Sequence, residues 1–256
     1  YLEHKIMAIT IKSEREIELM AEAGKILERV HNELEKALRP GMSTKDIDTL
    51  GEEIIRSYGC IPSFLNYNGY PASICVSVNQ EVVHGIPDKH RIIQEGDIVS
   101  LDAGVIYKGY HSDAARTHAV GEVSEEAKKL IQVTKESFFE GIKFAKAGNH
   151  LFDISGAIGR YAEERGYGVV RDLCGHGIGT ALHEAPEIPN YEVGRKGVRL
   201  RPGMTLAIEP MINIGTHEVD WLDDDWTVVT RDGSLSAHYE NTILITEGEP
   251  RILSLT

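Results

Sequence analysis

Two short stretches, Gly96-Asp-Ile-Val-Ser-Leu-Asp102 and Gly203-Met-Thr-Leu-Ala-Ile-Glu209, decide how this chain folds. Each opens on a glycine, runs through the apolar residues of a strand and closes on a carboxylate. They stand 107 residues apart, and the same offset joins Gly41 to Gly148, Asp46 to Asp153, Ile47 to Ile154 and Gly59 to Gly166. Glycine after a helix or before a strand is common punctuation, so one match carries little. Six at a single offset indicate a duplicated unit.

Helices precede each strand. From Ser13 to Leu38, Ile17, Met20, Ala21, Gly24, Leu27 and His31 recur at helical spacing, until Arg39-Pro40-Gly41 stops the pattern. Ser43 or Thr44 caps a second helix that runs to about Tyr58 and ends at Gly59. A similar pair follows, from Ser124 to about Ala147 and from about His150 to Arg165, ending at Gly166. The expected fold is therefore α+β, with two pseudo-symmetric halves, about 10–120 and 121–256, each built helix–helix–strand–strand. A site between the halves is the natural consequence.

Two antiparallel hairpins are expected, Asp97–Val120 turning near Tyr107-Lys108-Gly109 and Thr227–Thr246 turning near Asp232-Gly233. In the first, a turn at Lys108-Gly109 puts Asp102 opposite Ala115, with Asp113 two positions away on the same face. A turn at Tyr107-Lys108 sets the two carboxylates directly opposite. A three-residue loop splits them between faces.

Two aspartates on one face, flanked by Ile98, Val99, Leu101 and Ala103, repel each other and are poorly solvated. A bound cation is the simpler explanation for the pair. Glu209 ends the apolar run Thr205-Leu-Ala-Ile-Glu-Pro210, and Glu240 enters the run Ala237-His-Tyr-Glu-Asn-Thr-Ile-Leu-Ile245. His176, in Cys174-Gly-His-Gly-Ile-Gly179, taken alone reads as part of a flexible turn. Four carboxylates and one imidazole suit Mn²⁺, Fe²⁺, Co²⁺ or Zn²⁺. They exceed what one catalytic zinc takes, whereas two cations about 3.5–4 Å apart use them well.

Bulk properties narrow the class. The 27 basic residues against 40 acidic ones give a net charge of −13, which argues against a dedicated nucleic-acid binder. Three cysteines, Cys60, Cys75 and Cys174, lie at wide, irregular spacings, so a reducing cytoplasm is expected. No apolar run approaches the length of a membrane span. Tyr1 to Ile6 read as a remnant foreign to the fold, ahead of a native start at Met7.

Several motifs together resemble the type I methionine aminopeptidases, in order from about residue 10 to residue 252. They are Val78-Asn-Gln-Glu-Val-Val-His84-Gly-Ile-Pro87, the Asp102/Asp113 hairpin, Gly175-His-Gly-Ile-Gly179, Leu182-His183-Glu-Ala-Pro186, Met204-Thr-Leu-Ala-Ile-Glu-Pro210 and Ser234-Leu-Ser-Ala-His-Tyr-Glu240. The resemblance implies the pita-bread fold, a curved antiparallel sheet covered by helices, and two divalent metal ions. Asp102 would chelate one metal, Asp113 and Glu240 would bridge both, and His176 with Glu209 would complete the other. A metal-bridging water would be the nucleophile, with Glu209 as proton shuttle. His183 would stabilise the oxyanion and His84 would contact the substrate near its amide nitrogen. Phe64, Tyr67, Tyr70, Cys75 and Trp226, with Leu182, would form the methionine pocket.

The chain departs from the family pattern at four positions. Leu182 stands where many relatives carry Phe, Phe64 where some carry Cys, His238 where Gln is common and Asn241 where His usually follows the final glutamate. Only 31 residues separate Glu209 from Glu240, which favours type I over type II, whose members carry an insertion there. The Xaa-Pro peptidases share the ligand set and are the nearest rival. The resemblance implies as partners peptides and nascent proteins beginning with Met, transient ribosome association and a monomeric, cytoplasmic enzyme with no nucleic-acid specificity of its own.

Overall fold

Among the described residues four α-helices form where the capping chemistry starts them. In this computed structural model, which describes residues 8–256, α1 spans Glu14–Ala37, α2 Thr44–Ser57, α3 Glu125–Ile142 and α4 Leu151–Glu163. The expected foreign remnant and the start at Met7 lie outside the described residues. The Ser13 hydroxyl accepts from Glu16 N–H while the Glu16 carboxylate accepts from Ser13 N–H, a reciprocal cap that Ser43 and Asp46 repeat at α2. Helix α3 ends at Ile142, short of the expected Ala147, because Phe144 and Ala145 bond back only three residues and tighten the chain into turns.

The 107-residue offset holds in three dimensions. Asp46 and Asp153 each accept from the backbone N–H three residues earlier at 2.8 Å. Ile47 and Ile154 are both buried. Gly41 and Gly148 have φ of +93° and +91°, as do Gly96 and Gly203 respectively. An isolated bridge joins Ser43 to Ile92 in one half and His150 to Arg199 in the other, again at the same offset.

All strand pairings are antiparallel. In the first half the Ile98–Tyr107 strand runs between Ile74–Val78 and Tyr110–Ala119, with α1 and α2 packed on them. In the second, Thr205–Ile208 runs between Gly175–Gly177 and Asn241–Leu244. The two sheets meet where Ala115 and Glu240 exchange both backbone hydrogen bonds, at 3.1 and 3.2 Å. Among the described residues no helix is long and apolar enough to cross a membrane.

The first hairpin takes the two-residue turn at Lys108-Gly109, both residues with positive φ, so Asp102 faces Ala115 and Asp113 faces Gly104. Both carboxylates therefore share one face. The second expected hairpin, Thr227–Thr246, does not form. Its turn at Asp232-Gly233 is present, but the Asp232 carboxylate binds the backbone of Thr216 as well as Ser234 and ties the turn to another loop. The flanking strands pair elsewhere: Val228–Thr230 with Val219–Trp221 and Glu81–Val83, and Ser236–His238 with Met211–Asn213. Asp113 and Glu240 do not occupy equivalent places in the two halves. Extending the Asn241–Ile208 pairing by one step sets Glu240 opposite Glu209, whereas Asp113 sits two positions from the partner of Asp102.

The glycine conformations yield a test. Gly41→Ala, with nothing near the added methyl, should cost about 1–2 kcal/mol from the left-handed backbone alone. Gly203→Ala should cost more, because its methyl would also come 2.7 Å from Ile11 Cγ2. Urea unfolding checks both, and equal losses would contradict the packing around Gly203.

Candidate metal centre

Backbone pairing aims the carboxylates inward. Asp102 and Asp113 project from neighbouring strands, Glu209 follows Ile208 at the end of its strand, and Glu240 lies at the bridge to Ala115. Thr242 clamps the Asp113 backbone, its hydroxyl accepting from Asp113 N–H and donating to Asp113 O, both at 2.9 Å. Behind Glu240, Arg116 donates to the Glu240 carbonyl and to Asn241 Oδ1, which also accepts from Ser254. Asn241 thus serves as an acceptor in a buried network that fixes the strand.

Into this volume comes His176, whose Nε2 lies 3.5 Å from Asp113, 3.5 Å from Glu209 and 3.8 Å from Glu240. Glycines on either side permit the approach: any side chain at residue 175 or 177 would strike the carbonyl of Ala207 or Ala185. His176 Nδ1 donates to the Gly177 carbonyl at 2.9 Å, which leaves the Nε2 lone pair facing the carboxylates.

Three of the four carboxyls keep oxygens that no protein donor satisfies. Asp102 Oδ1, Asp113 Oδ1 and both oxygens of Glu240 are buried without a hydrogen-bond partner. Burial raises all four carboxyls above their ordinary range; Asp113 adds to the shifts at Asp102 and Glu240, and Glu209 to that at Asp113. Bare oxygens, mutual repulsion and a free imidazole lone pair fit a divalent cation site. Two overlapping groups have the spacing for one, Asp113–His176–Glu240 and Asp102–His238–Glu240.

A cavity of about 250 Å³ opens on the cluster. Its apolar wall is Phe64, Tyr67, Tyr70, Cys75, Leu182 and Trp226, and its polar end carries Asp102, Asp113, His176 and Glu209. Tyr70 meets Trp226 edge to face with ring centroids 5.1 Å apart, and its hydroxyl donates to Gly85 O. His84, at φ +60°, presents its ring edge-on to Trp226. His183 stands exposed at the mouth, its ring centroid 4.1 Å from that of His176 and its Nδ1 2.8 Å from the Tyr67 hydroxyl. Lost hydration first, then neighbouring imidazoles, holds His84 and His183 below the ordinary histidine range, so both are neutral.

Every expected site residue except Glu240 lines this cavity, and Glu240 sits in the cluster beneath it. Two residues were not among the expected site residues. Asn68 joins the wall from the turn between the two tyrosines. His238, noted in the sequence only as a departure, places Nε2 3.0 Å from Glu209 Oε2. The signal for it was present: His238 and Glu240 are two apart in an extended run and so share a face.

The model of metallopeptidase family M24 matches residues 18–247. The chain belongs to family M24. This M24 chain is 58% identical to a methionine aminopeptidase of Clostridium acetobutylicum, over 96% of its own length and 99% of that protein. It is 48% identical to the crystal structure of methionine aminopeptidase from Thermotoga maritima, with a TM-score of 0.94, covering 96% of this chain and 99% of the other. An Xaa-Pro dipeptidase from Bacillus anthracis shares the M24 fold at 28% identity and TM-score 0.76, but 96% of this chain covers only 62% of that one. The pita-bread architecture expected from the sequence motifs is thus the M24 fold, and the carboxylate–histidine cluster is its candidate metal centre.

The raised carboxyls make the metal-free protein sensitive to pH. Burial, and Glu209 after it, lifts Asp113 to about 8 from the usual aspartate value near 4. Between those values the folded chain keeps a proton that the unfolded chain has lost, so this position contributes less stability as pH rises from about 4 to about 8. In chelator, the unfolding free energy of wild type minus that of Asp113→Asn should fall by more than about 1 kcal/mol between pH 5 and pH 8. A constant difference in urea titrations would refute the buried, uncompensated state of this carboxyl.

Proposed function

We propose that the chain is a type I methionine aminopeptidase, removing N-terminal methionine from peptides and nascent proteins whose second residue is small. One observation carries the reading: a single cavity has an apolar wall sized for an unbranched thioether at one end and a carboxylate–histidine cluster at the other. Two divalent cations, drawn from Co²⁺, Mn²⁺, Fe²⁺ and Zn²⁺, would be held by Asp102 on one side, by His176 and Glu209 on the other, and by Asp113 and Glu240 between them. When bound, they supply Lewis acidity, polarising the scissile carbonyl and acidifying water to make a nucleophile near neutral pH.

The side chains then divide the work. Phe64, Tyr67, Tyr70, Cys75, Leu182 and Trp226 enclose the methionine side chain and exclude water from it. Glu209, its carboxyl raised by burial, accepts the proton of the attacking water and passes it towards the leaving amine. A Tyr67 hydroxyl donating to His183 Nδ1 leaves the proton of that neutral ring on Nε2, where it can bind the developing oxyanion. His84, neutral and beside Trp226, contacts the substrate near its amide nitrogen.

On this reading the catalytic unit is one domain, with halves at about 10–120 and 121–256. It acts as a cytoplasmic monomer that meets emerging chains in transient contact with the ribosome. The net charge of −13 supports no nucleic-acid specificity of its own.

Release of the first residue from Met-Ala-Ser, Leu-Ala-Ser and Ala-Pro-Ala, measured across a metal titration, tests the assignment. Only the methionine peptide should turn over well, and preference for the proline peptide would move the chain to the Xaa-Pro peptidases. His176→Ala should abolish turnover, and full activity with metal supplied would refute the ligand set. His183→Ala should lower kcat by about 10²–10³-fold with only a small change in melting temperature, since the residue lies at the cavity mouth.

A further inference from the structure

Two imidazoles stand among the cluster carboxylates, and Glu240 belongs to the group around each. By composition His176 and His238 are interchangeable, one ligand for each cation. Their hydrogen bonds distinguish them. His176 Nδ1 lies 2.9 Å from the Gly177 carbonyl oxygen, which only accepts, so Nδ1 carries the proton and Nε2 presents a lone pair. His238 is the reverse. Its Nε2 lies 3.0 Å from Glu209 Oε2, and once a cation holds Glu209 ionised that oxygen only accepts, so Nε2 then carries the proton. A protonated ring nitrogen has no lone pair for a metal.

The backbone holds His238 in that pose. Its N–H donates to the Thr117 hydroxyl at 2.9 Å, and the same hydroxyl donates to its carbonyl at 2.8 Å. The oxygens of Glu209 are thereby divided: Oε2 faces His238, and Oε1 lies 3.5 Å from His176 Nε2.

We infer that His238 is a positioning residue, which holds Glu209 by one oxygen so that only the other is offered to the cation on the His176 side. This rests on the metallopeptidase reading above and adds a donor to it, not a sixth ligand. Without the donor Glu209 is free to rotate or to chelate through both oxygens, and losing such a partner typically weakens metal binding about 10–100-fold.

The direct test uses wild-type protein labelled with ¹⁵N-histidine, metal-free, followed by long-range ¹⁵N–¹H NMR as Zn²⁺ is added. In the zinc-bound protein His238 should carry its proton on Nε2, while the bare Nε2 of His176 shifts with zinc. If His176 responds and His238 also lacks its Nε2 proton and shifts, His238 is a ligand and the inference is overturned alone. If His176 does not respond, the ligand set itself fails, and with it the cation for which Glu209 is positioned. Zinc titration of two variants gives a second measure. His238→Gln, which keeps an N–H donor, should bind close to wild type, and His238→Leu should bind about 10–100-fold more weakly. Wild-type affinity in the Leu variant, or equal weakness in both, would overturn the inference.

Discussion

The oxygens of Asp102, Asp113, Glu209 and Glu240 converge on one buried volume, and the rest of the molecule is arranged around that constraint. Two unit charges 4 Å apart repel by about 4 kcal/mol at an effective dielectric of 20. Burial adds a further cost to ionising each of them. A loop would relax away from such a load. Paired strands do not, because each shift of register breaks several hydrogen bonds, and the Ala115–Glu240 bridge locks the two sheets together at this point. A cation reverses the sign of the interaction: what is strained in the metal-free chain becomes binding energy for the metal.

Duplication explains how one chain assembles such a site. The same caps, the same left-handed glycines and even the same isolated bridges recur 107 residues apart. Asp102 and Glu209 are equivalent positions of the repeat and meet where its halves meet. The copies then diverge. Eleven residues separate Asp102 from Asp113, but 31 separate Glu209 from Glu240. The longer second segment leaves its own sheet and pairs across to Glu81–Val83 in the first half. That excursion carries Trp226 to the cavity wall and His238 to Glu209. The symmetric part of the molecule thus supplies Asp102 and Glu209 of the candidate metal centre, and its asymmetric part shapes what stands beside them.

Much of this was legible in the linear chain because the governing interactions are local. Helix starts followed from Ser13 and Ser43, helix ends from Gly59 and Gly166, and the duplicated strands from their glycine and carboxylate ends. The failed second hairpin shows the limit. Asp232-Gly233 does make its turn, yet the Asp232 carboxylate finds donors in a loop sixteen residues earlier, and the strands it should join are claimed by other partners.

The sequence by itself determined the repeat, the helices, the residue types of the candidate site and, through its motifs, the family. Those depend on residue chemistry and on spacing along the chain. Only the tertiary structure decided which of three turns put Asp102 and Asp113 on one face, and that Asn241 ties Arg116 to Ser254. It alone separated the roles of His176 and His238. Which nitrogen of an imidazole holds the proton depends on the acceptor beside it: for His176 the carbonyl of the next residue, for His238 a carboxylate 29 positions away.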